Sequence, residues 1–82
     1  MLRNLLVGIG NALGSGAYGP NEHAEVIEVL ERALHDEQPL VRGHAAWALG
    51  RAAGMSSVLR QRAAIESDPF VLEEIEDAIT SD

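Results

Sequence analysis

The chain contains no cysteine and no lysine, and its aromatic residues are one Trp, one Tyr and one Phe among 82 residues. Without cysteine it cannot form a disulfide scaffold, a thiolate zinc site or an iron–sulfur cluster from its own side chains. No apolar run exceeds a few residues, which is too short for a membrane-spanning helix. We therefore expect a cytoplasmic chain with no cofactor or metal of its own and no membrane contact.

What remains is an ordinary globular composition, with 46% hydrophobic and 23% charged residues. At this length, residues 1–82 are expected to form one small domain. The net charge is −7, and all six basic residues are arginines. Because phosphate contacts dominate nucleic-acid affinity, a chain this acidic is not expected to bind RNA strongly by itself. The segment 38–65, which holds four arginines and no acid, is the only place where it could.

Helical periodicity dominates the sequence, and no segment alternates as a strand would. The pattern predicts five helices, at about residues 2–13, 22–35, 39–53, 57–66 and 69–80. The Gly- and Pro-rich segment 14–20 is expected to be a loop. Asn21 and Asp68 are expected to cap the second and fifth helices, and Pro39 and Pro69 suit first-turn positions.

The helices repeat. The third and fifth share a template at an offset of 30 residues, which pairs Pro39 with Pro69, Val41 with Val71, Ala45 with Ile75, Ala48 with Ala78 and Leu49 with Ile79. The first helix fits it at an offset of 40, with Ile9 for Leu49 and Gly10 for Gly50. Stacked helix pairs of this kind make an α-solenoid, here about two and a half repeats in an all-α fold.

Residues 36–50 carry the most distinctive motif and read DEQPLVRGHAAWALG. An acid and a proline before the helix, then Val-Arg, two alanines and Ala-Leu-Gly, resemble a HEAT-like repeat of the PBS lyase type. The resemblance implies that Asp36 caps its own helix and that Arg42 reaches an acid in the neighbouring repeat. We predict that Asp36 and Arg42 form a structural ion pair. Leu72 stands where Arg42 stands one repeat earlier, which suits an atypical terminal repeat.

Two longer strings narrow the resemblance. Residues 3–11 (RNLLVGIGN) followed by 39–51 (PLVRGHAAWALGR) are similar to the C-terminal HEAT-like region of epoxyqueuosine reductases, and the acidic residues 73–79 (EEIEDAI) fit the end of that region. The resemblance implies a parent oxidoreductase that uses cobalamin and two 4Fe–4S clusters to complete queuosine in tRNA. It implies that this chain is a C-terminal segment that helps hold the tRNA. No catalytic residue carries over, because the cluster ligands of such proteins are upstream cysteines.

Three residues of the third helix are candidates for contact with RNA or a partner. His44, Trp47 and Arg51 are spaced i, i+3, i+7 and share a strip beside the core stripe. An aromatic ring can stack on a base, and an arginine can bind a phosphate. The alternative is that Trp47 fills the space between repeats while His44 flanks it, since a lone Trp in a small domain is usually packed.

Other motifs favour structural roles. Residues 8–14 (GIGNALG) imitate a dinucleotide fingerprint, but the spacing is wrong and no βαβ unit follows, so we predict close helix packing with Gly10 equivalent to Gly50. The three histidines lie on different helices and predict no metal site. No nucleophile stands beside a base, so no catalytic residues are assigned.

Two further classes of protein remain open, and the first helix adds an expectation. The chain could be a free-standing HEAT-like protein–protein interaction module, or a relative of bilin lyases. The first helix is expected to be the second helix of an incomplete repeat, with Leu2, Leu6 and Leu13 pointing partly away from the core. An uncovered solenoid end exposes apolar surface, so we expect self-association or packing of an upstream domain there.

Overall fold

Five helices connected by short loops make up the computed structural model, which describes residues 2–52 and 54–80, with side chains from Leu6 onward. They are α1 (Leu2–Ser15), α2 (Pro20–Ala33), α3 (Pro39–Gly50), α4 (Ser56–Ala63) and α5 (Pro69–Thr80). The described residues contain no strand. None of these helices is long and apolar enough to cross a bilayer. The predicted all-α architecture and its five helices are confirmed.

The helix boundaries follow proline and capping chemistry. Pro39 and Pro69 begin α3 and α5 as predicted, and the Asp68 carboxylate accepts the N–H of Phe70 at 2.9 Å. The start of α2 differs from prediction, because Pro20 occupies its first turn and Gly19, not Asn21, is the cap. Glu22 supports this start by accepting the Gly19 N–H at 3.3 Å.

The third helix is the centre of the molecule. It packs against α1 on one side and α5 on the other, so these three helices form one layer. The second layer is formed by α2, which packs on α3, and α4, which packs on α5. This arrangement is the stacking of helix pairs that defines an α-solenoid. The α3 helix ends at Gly50, three residues before prediction, and Gly54 follows with a φ of +81° that suits glycine alone.

The predicted core stripes are largely confirmed. All five members of the stripe predicted for the third helix are buried: Val41, Ala45, Ala48 and Leu49 on α3, and Ala52 just beyond its end. On α5 Val71, Ile75 and Ala78 are buried, and Ile79 is half-buried. The α2 helix contributes Ile27 and Leu30, with Leu34 just beyond its end. The core is therefore built from small residues on the central helix and larger ones on its neighbours.

The expectation for α1 is wrong for two leucines. Leu6 and Leu13 are only 3% and 6% exposed, so they belong to the core. They lie seven residues apart, with the half-buried Ile9 and the buried Gly10 between them, and this i, i+3, i+4, i+7 set faces α3. The side chain of Leu2 lies outside the described residues. The first helix is thus better covered by α3 than its sequence suggested.

Glycines allow the three helices of the first layer to approach closely. A Cβ on Gly10 would lie 3.1 Å from the Ala48 Cα, and a Cβ on Gly50 would lie 3.1 Å from the Ala78 Cα. The same contact therefore occurs at both interfaces of α3, which confirms the predicted equivalence of Gly10 and Gly50. Within the glycine-rich motif of α1, Gly10 is the glycine that makes this close helix contact, whereas nothing lies within 4 Å of a Cβ on Gly8.

The close approach predicts opposite effects for two glycine substitutions. Gly50→Ala should lower the free energy of unfolding by about 1–3 kcal/mol, because the new Cβ would come within 2.6 Å of the Ala78 Cβ. Gly8→Ala is the matched control, since nothing lies within 4 Å of its Cβ position. It should stabilise α1 by up to about 1 kcal/mol through helix propensity alone. Denaturation followed by circular dichroism measures both, and equal effects would contradict the close contact.

Candidate functional site

The three candidate contact residues lie together along α3. His44 and Trp47 are half-buried, whereas Arg51, the residue after the last turn, is exposed. The Nδ1 of His44 lies 2.7 Å from the Leu40 carbonyl oxygen. Because a carbonyl can only accept, His44 donates through Nδ1, which fixes the orientation of the ring. The structure therefore places the predicted strip on one surface.

An open groove runs between α1 and α5 across this strip. One half has a volume of about 460 Å³ and is mainly apolar, lined by Val7, Leu40, Gly43, His44, Trp47, Phe70 and Glu74. The Phe70 ring covers Gly43, where any Cβ would overlap it. The His44 and Phe70 ring centroids are 6.2 Å apart at an angle of 49°. This half is thus an aromatic-lined depression in the surface.

The other half of the groove is polar. It has a volume of about 590 Å³ and is lined by Gly14, Trp47, Gly50, Arg51, Glu74, Asp77 and Ala78. Arg51 lies on the α1 side, where a Cβ on Gly14 would come within 2.7 Å of its guanidinium. Glu74 and Asp77 belong to α5 and form the opposite wall. A cation and two carboxylates therefore face each other across this half.

The surroundings of Glu74 on the acidic wall disfavour its charged form. Burial raises the pKa of Glu74 above its ordinary value, and the nearby Asp77 raises it further, while His44 acts in the opposite direction. Among the side chains that the structure describes, no arginine or histidine forms an ion pair with Glu74 or Asp77. The wall therefore presents acceptor oxygens whose charge no described cation neutralises at short range.

A buried carboxylate, Glu66, joins the two repeats on the far side of α3. Its side chain is 1% exposed and accepts two bonds from Arg42, at 2.8 and 3.0 Å, and two from Arg62, at 3.1 and 3.3 Å. The backbone N–H groups of Ser67 and Asp68 add bonds at 3.1 and 3.0 Å. Burial alone would raise the pKa of Glu66, but the bonds from Arg42, Asp68 and Arg62 outweigh it and lower the pKa to about 2.

The predicted ion pair between Asp36 and Arg42 is wrong, because the acidic partner of Arg42 is a different residue. Arg42 donates to the backbone carbonyls of Asp36 and Glu37, at 2.8 and 3.0 Å, and its charged partner is Glu66. The Asp36 carboxylate instead accepts the Gln38 N–H at 2.9 Å. The Asp36 side chain does not cap α3, whose cap residue is Gln38, but bonds within the preceding turn, while the buried Glu66 offers Arg42 a two-oxygen acceptor.

Glu66 was missed by sequence reasoning although a signal was present. It stands 30 residues after Asp36, at the equivalent position of the next repeat. The resemblance implied that Arg42 reaches an acid in the neighbouring repeat, and applying the offset would have named it. The prediction that the fourth helix runs to residue 66 concealed this equivalence, because it placed Glu66 in a helix. In the structure α4 ends at Ala63, and Glu66 lies in the loop that follows. Glu74 was missed because its role depends on the approach of α5 to α3.

The arginines of residues 38–65 are less available for binding RNA than the composition of that segment suggested. Of its four arginines, Arg42 and Arg62 bind Glu66, and Arg62 also donates to the Nδ1 of His35 at 2.8 Å. Arg51, directly after α3, and Arg60, on α4, are exposed. Within residues 2–52 and 54–80, no group of three His, Asp or Glu residues could hold a metal ion. Arg51 is therefore the arginine that reaches the groove.

Comparison with known proteins gives two consistent findings. The family described as HEAT repeats matches residues 8–80. A protein named epoxyqueuosine reductase from Xanthomonas campestris pv. campestris is 44% identical over 50 residues, or 61% of this chain and 12% of that protein. One of the same name from Burkholderia pseudomallei is 48% identical over 52 residues, or 58% of this chain and 13% of that protein. No solved structure matches the chain.

The coordination of Glu66 predicts a pH-dependent contribution to stability. At pH 7, Glu66→Gln should lower the free energy of unfolding by about 1–3 kcal/mol, because two arginines lose a charged acceptor. The pKa of Glu66 falls from 4.5 to about 2 on folding, so ionisation stabilises the fold fully above pH 4.5. That contribution is lost as the pH falls towards 2. The difference between the wild-type chain and the variant should shrink over the same range.

The matched control is Glu73→Gln, which removes an equal charge from an exposed position of α5. Urea denaturation at a series of pH values gives the free energy of unfolding of all three chains. Glu73→Gln should change it by less than about 0.5 kcal/mol throughout. A Glu66→Gln effect that stayed constant between pH 5 and pH 2.5 would show that the carboxylate is not held ionised by the fold.

Proposed function

The chain belongs to the HEAT repeat family, and we propose that it is a non-catalytic scaffold segment that helps hold tRNA in a protein resembling epoxyqueuosine reductase. The observation that carries the proposal is the match to two proteins of that name, at 44% and 48% identity over more than half of this chain. Each match covers only 12% or 13% of the relative. The oxidoreductase activity of the whole protein is part of the proposal.

The structure supports a scaffold role through what this chain lacks and what it builds. The chain has no cysteine, and its described residues include no group of three metal-binding side chains, so they do not fit an iron–sulfur cluster. Cobalamin and 4Fe–4S clusters, if the parent uses them, would be held by other residues of the parent. What the described residues do build is a stack of helices with an open groove between α1 and α5. We place the whole protein in the cytoplasm.

Contact with RNA in this proposal is centred on Arg51. It is exposed, forms no ion pair with a described side chain, and lies on the α1 side of the groove, across the polar half from the acidic wall. An arginine in this position can bind a phosphate. The net charge of −7 limits the affinity of the isolated chain, so the parent protein must supply most of the phosphate contacts.

A second function, docking of a partner protein, is favoured by a different observation. Two carboxylates on α5 face the same groove, and they repel phosphate while attracting basic side chains. This corresponds to the alternative of a HEAT-like protein–protein interaction module. Arg51 serves the first function from the α1 side of the polar half, and the two carboxylates serve the second from its α5 side.

Arg51→Ala tests the role in holding tRNA. In the intact parent protein, the substitution should weaken tRNA binding by about 1–2 kcal/mol and reduce the slope of log K against log salt by about one. Arg60→Ala is the matched control, because it removes the same charge from an exposed position of α4, in the other layer. Filter binding at several salt concentrations measures both variants. If the two substitutions weaken tRNA binding equally, the change in net charge alone explains the loss, and the proposal is contradicted.

The scaffold role also predicts that the isolated chain takes up no cofactor. After anaerobic reconstitution with iron and sulfide, its iron and sulfide content should stay at background, because no thiolate is present. After incubation with cobalamin, its absorption spectrum should also stay at background, because the proposal assigns cobalamin to other residues of the parent. A mutant chain with unfolded structure serves as the background control. Stoichiometric cobalamin or iron would contradict a purely structural role.

A further inference from the structure

We propose that the groove binds a basic protein segment, with an Arg or Lys side chain held between the Trp47 ring and the carboxylates of Glu74 and Asp77. This goes beyond the role in holding tRNA and rests on the second function proposed above, the docking of a partner protein, to which it gives a chemical class. Its charged contacts are Glu74 and Asp77, whereas Arg51 lines the polar half from the α1 side.

The position of the site follows from how the two halves of the groove meet. Trp47 and Glu74 are the residues that line both the apolar half and the polar half. They therefore stand where the two halves meet, and a side chain bound at that point would contact both an indole and a carboxylate. Trp is the best aromatic partner for a cation, and a cation–π contact near a carboxylate adds an ion pair. The junction of the halves has the chemistry of a cation site.

The charges around this junction favour a cation over an anion. Glu74 and Asp77 lie on the same wall, and burial and mutual repulsion raise the pKa of Glu74. A bound guanidinium or ammonium would relieve that repulsion, whereas a phosphate would add to it. Glu73 on α5 adds negative charge outside the groove. From the side of α3 the wall is faced by His44 and, across the polar half, by the cation of Arg51.

The apolar half supplies the rest of a peptide site. Leu40 is 53% exposed and Phe70 is 39% exposed, and both line this half beside Trp47. Exposed apolar side chains next to a charged rim are typical of surfaces that bind protein partners. A partner with a Leu-sized side chain next to its Arg or Lys would contact both halves. The apolar and acidic parts of the groove together favour a mixed apolar and basic segment.

The same charges disfavour two other occupants. A second copy of this chain would bring another −7 of net charge to an acidic wall. Single-stranded RNA could stack on Trp47, but its phosphates would lie near Glu74 and Asp77. A basic protein segment is the occupant that gains from both the aromatic floor and the acidic wall.

The single Trp of the chain gives a direct readout of occupancy. The probe is an acetylated and amidated Leu-Arg-Gly-Leu-Arg peptide, and its control is the same peptide with neutral citrulline for each Arg. Titration of the arginine peptide should change Trp47 fluorescence saturably, and the citrulline peptide should bind at least about tenfold more weakly. Equal affinity of the two peptides would overturn the proposal.

Two variants separate the site from general charge. Glu74→Gln should raise the Kd of the arginine peptide about five- to tenfold, whereas Glu73→Gln, which changes net charge equally, should leave it within about twofold. Circular dichroism confirms that both fold. Equal weakening by the two would overturn the proposal, as would a single-stranded oligonucleotide that saturates Trp47 fluorescence and binds more tightly to Glu74→Gln. The Arg51→Ala experiment has a separate readout, so either proposal can fail alone.

Discussion

The buried Glu66 carboxylate sets the relation between the central helix and the last one. It accepts bonds from Arg42 at the start of α3, from Arg62 on α4, and from the backbone that leads into α5. An ionised carboxylate with its oxygens fully bonded tolerates burial, whereas an unpaired one would not. Because α5 begins three residues later, this cluster fixes where Phe70 meets Gly43. The positions of Phe70, Glu74 and Asp77 in the groove therefore depend on where this cluster holds the start of α5.

Periodicity and capping made most of the fold predictable. The α3 stripe of Val41, Ala45, Ala48, Leu49 and Ala52 was readable because a helix has one geometry, and Pro39 and Pro69 mark helix starts by a local rule. The offset of 30 residues predicted which residues are equivalent. The α1 leucines were misassigned because two stripes compete in a run of apolar residues, and only contact with α3 selects one.

The candidate site was only half predictable for a related reason. The strip of His44, Trp47 and Arg51 lies on one helix, so its alignment follows from spacing alone. Its opposite wall belongs to α5, and no local rule states which α5 residues will face α3. The distance between the helices is set by side chains as small as the Ala78 methyl. A wall of Glu74 and Asp77 therefore emerges from packing, and it changes the chemistry of the strip from purely RNA-compatible to mixed.

The number of acceptors that Arg42 serves limits which residues can occupy this position. Its guanidinium serves both oxygens of Glu66 and two backbone carbonyls at once, through Nε, Nη1 and Nη2. A planar fork with five donors can satisfy four acceptors in two directions, but a lysine ammonium has three donors at a single point. Arg42→Lys would therefore leave some of these acceptors without a donor, although the same substitution is tolerated on most protein surfaces. In a chain whose basic residues are all arginine, this is one position where that choice has a structural cause.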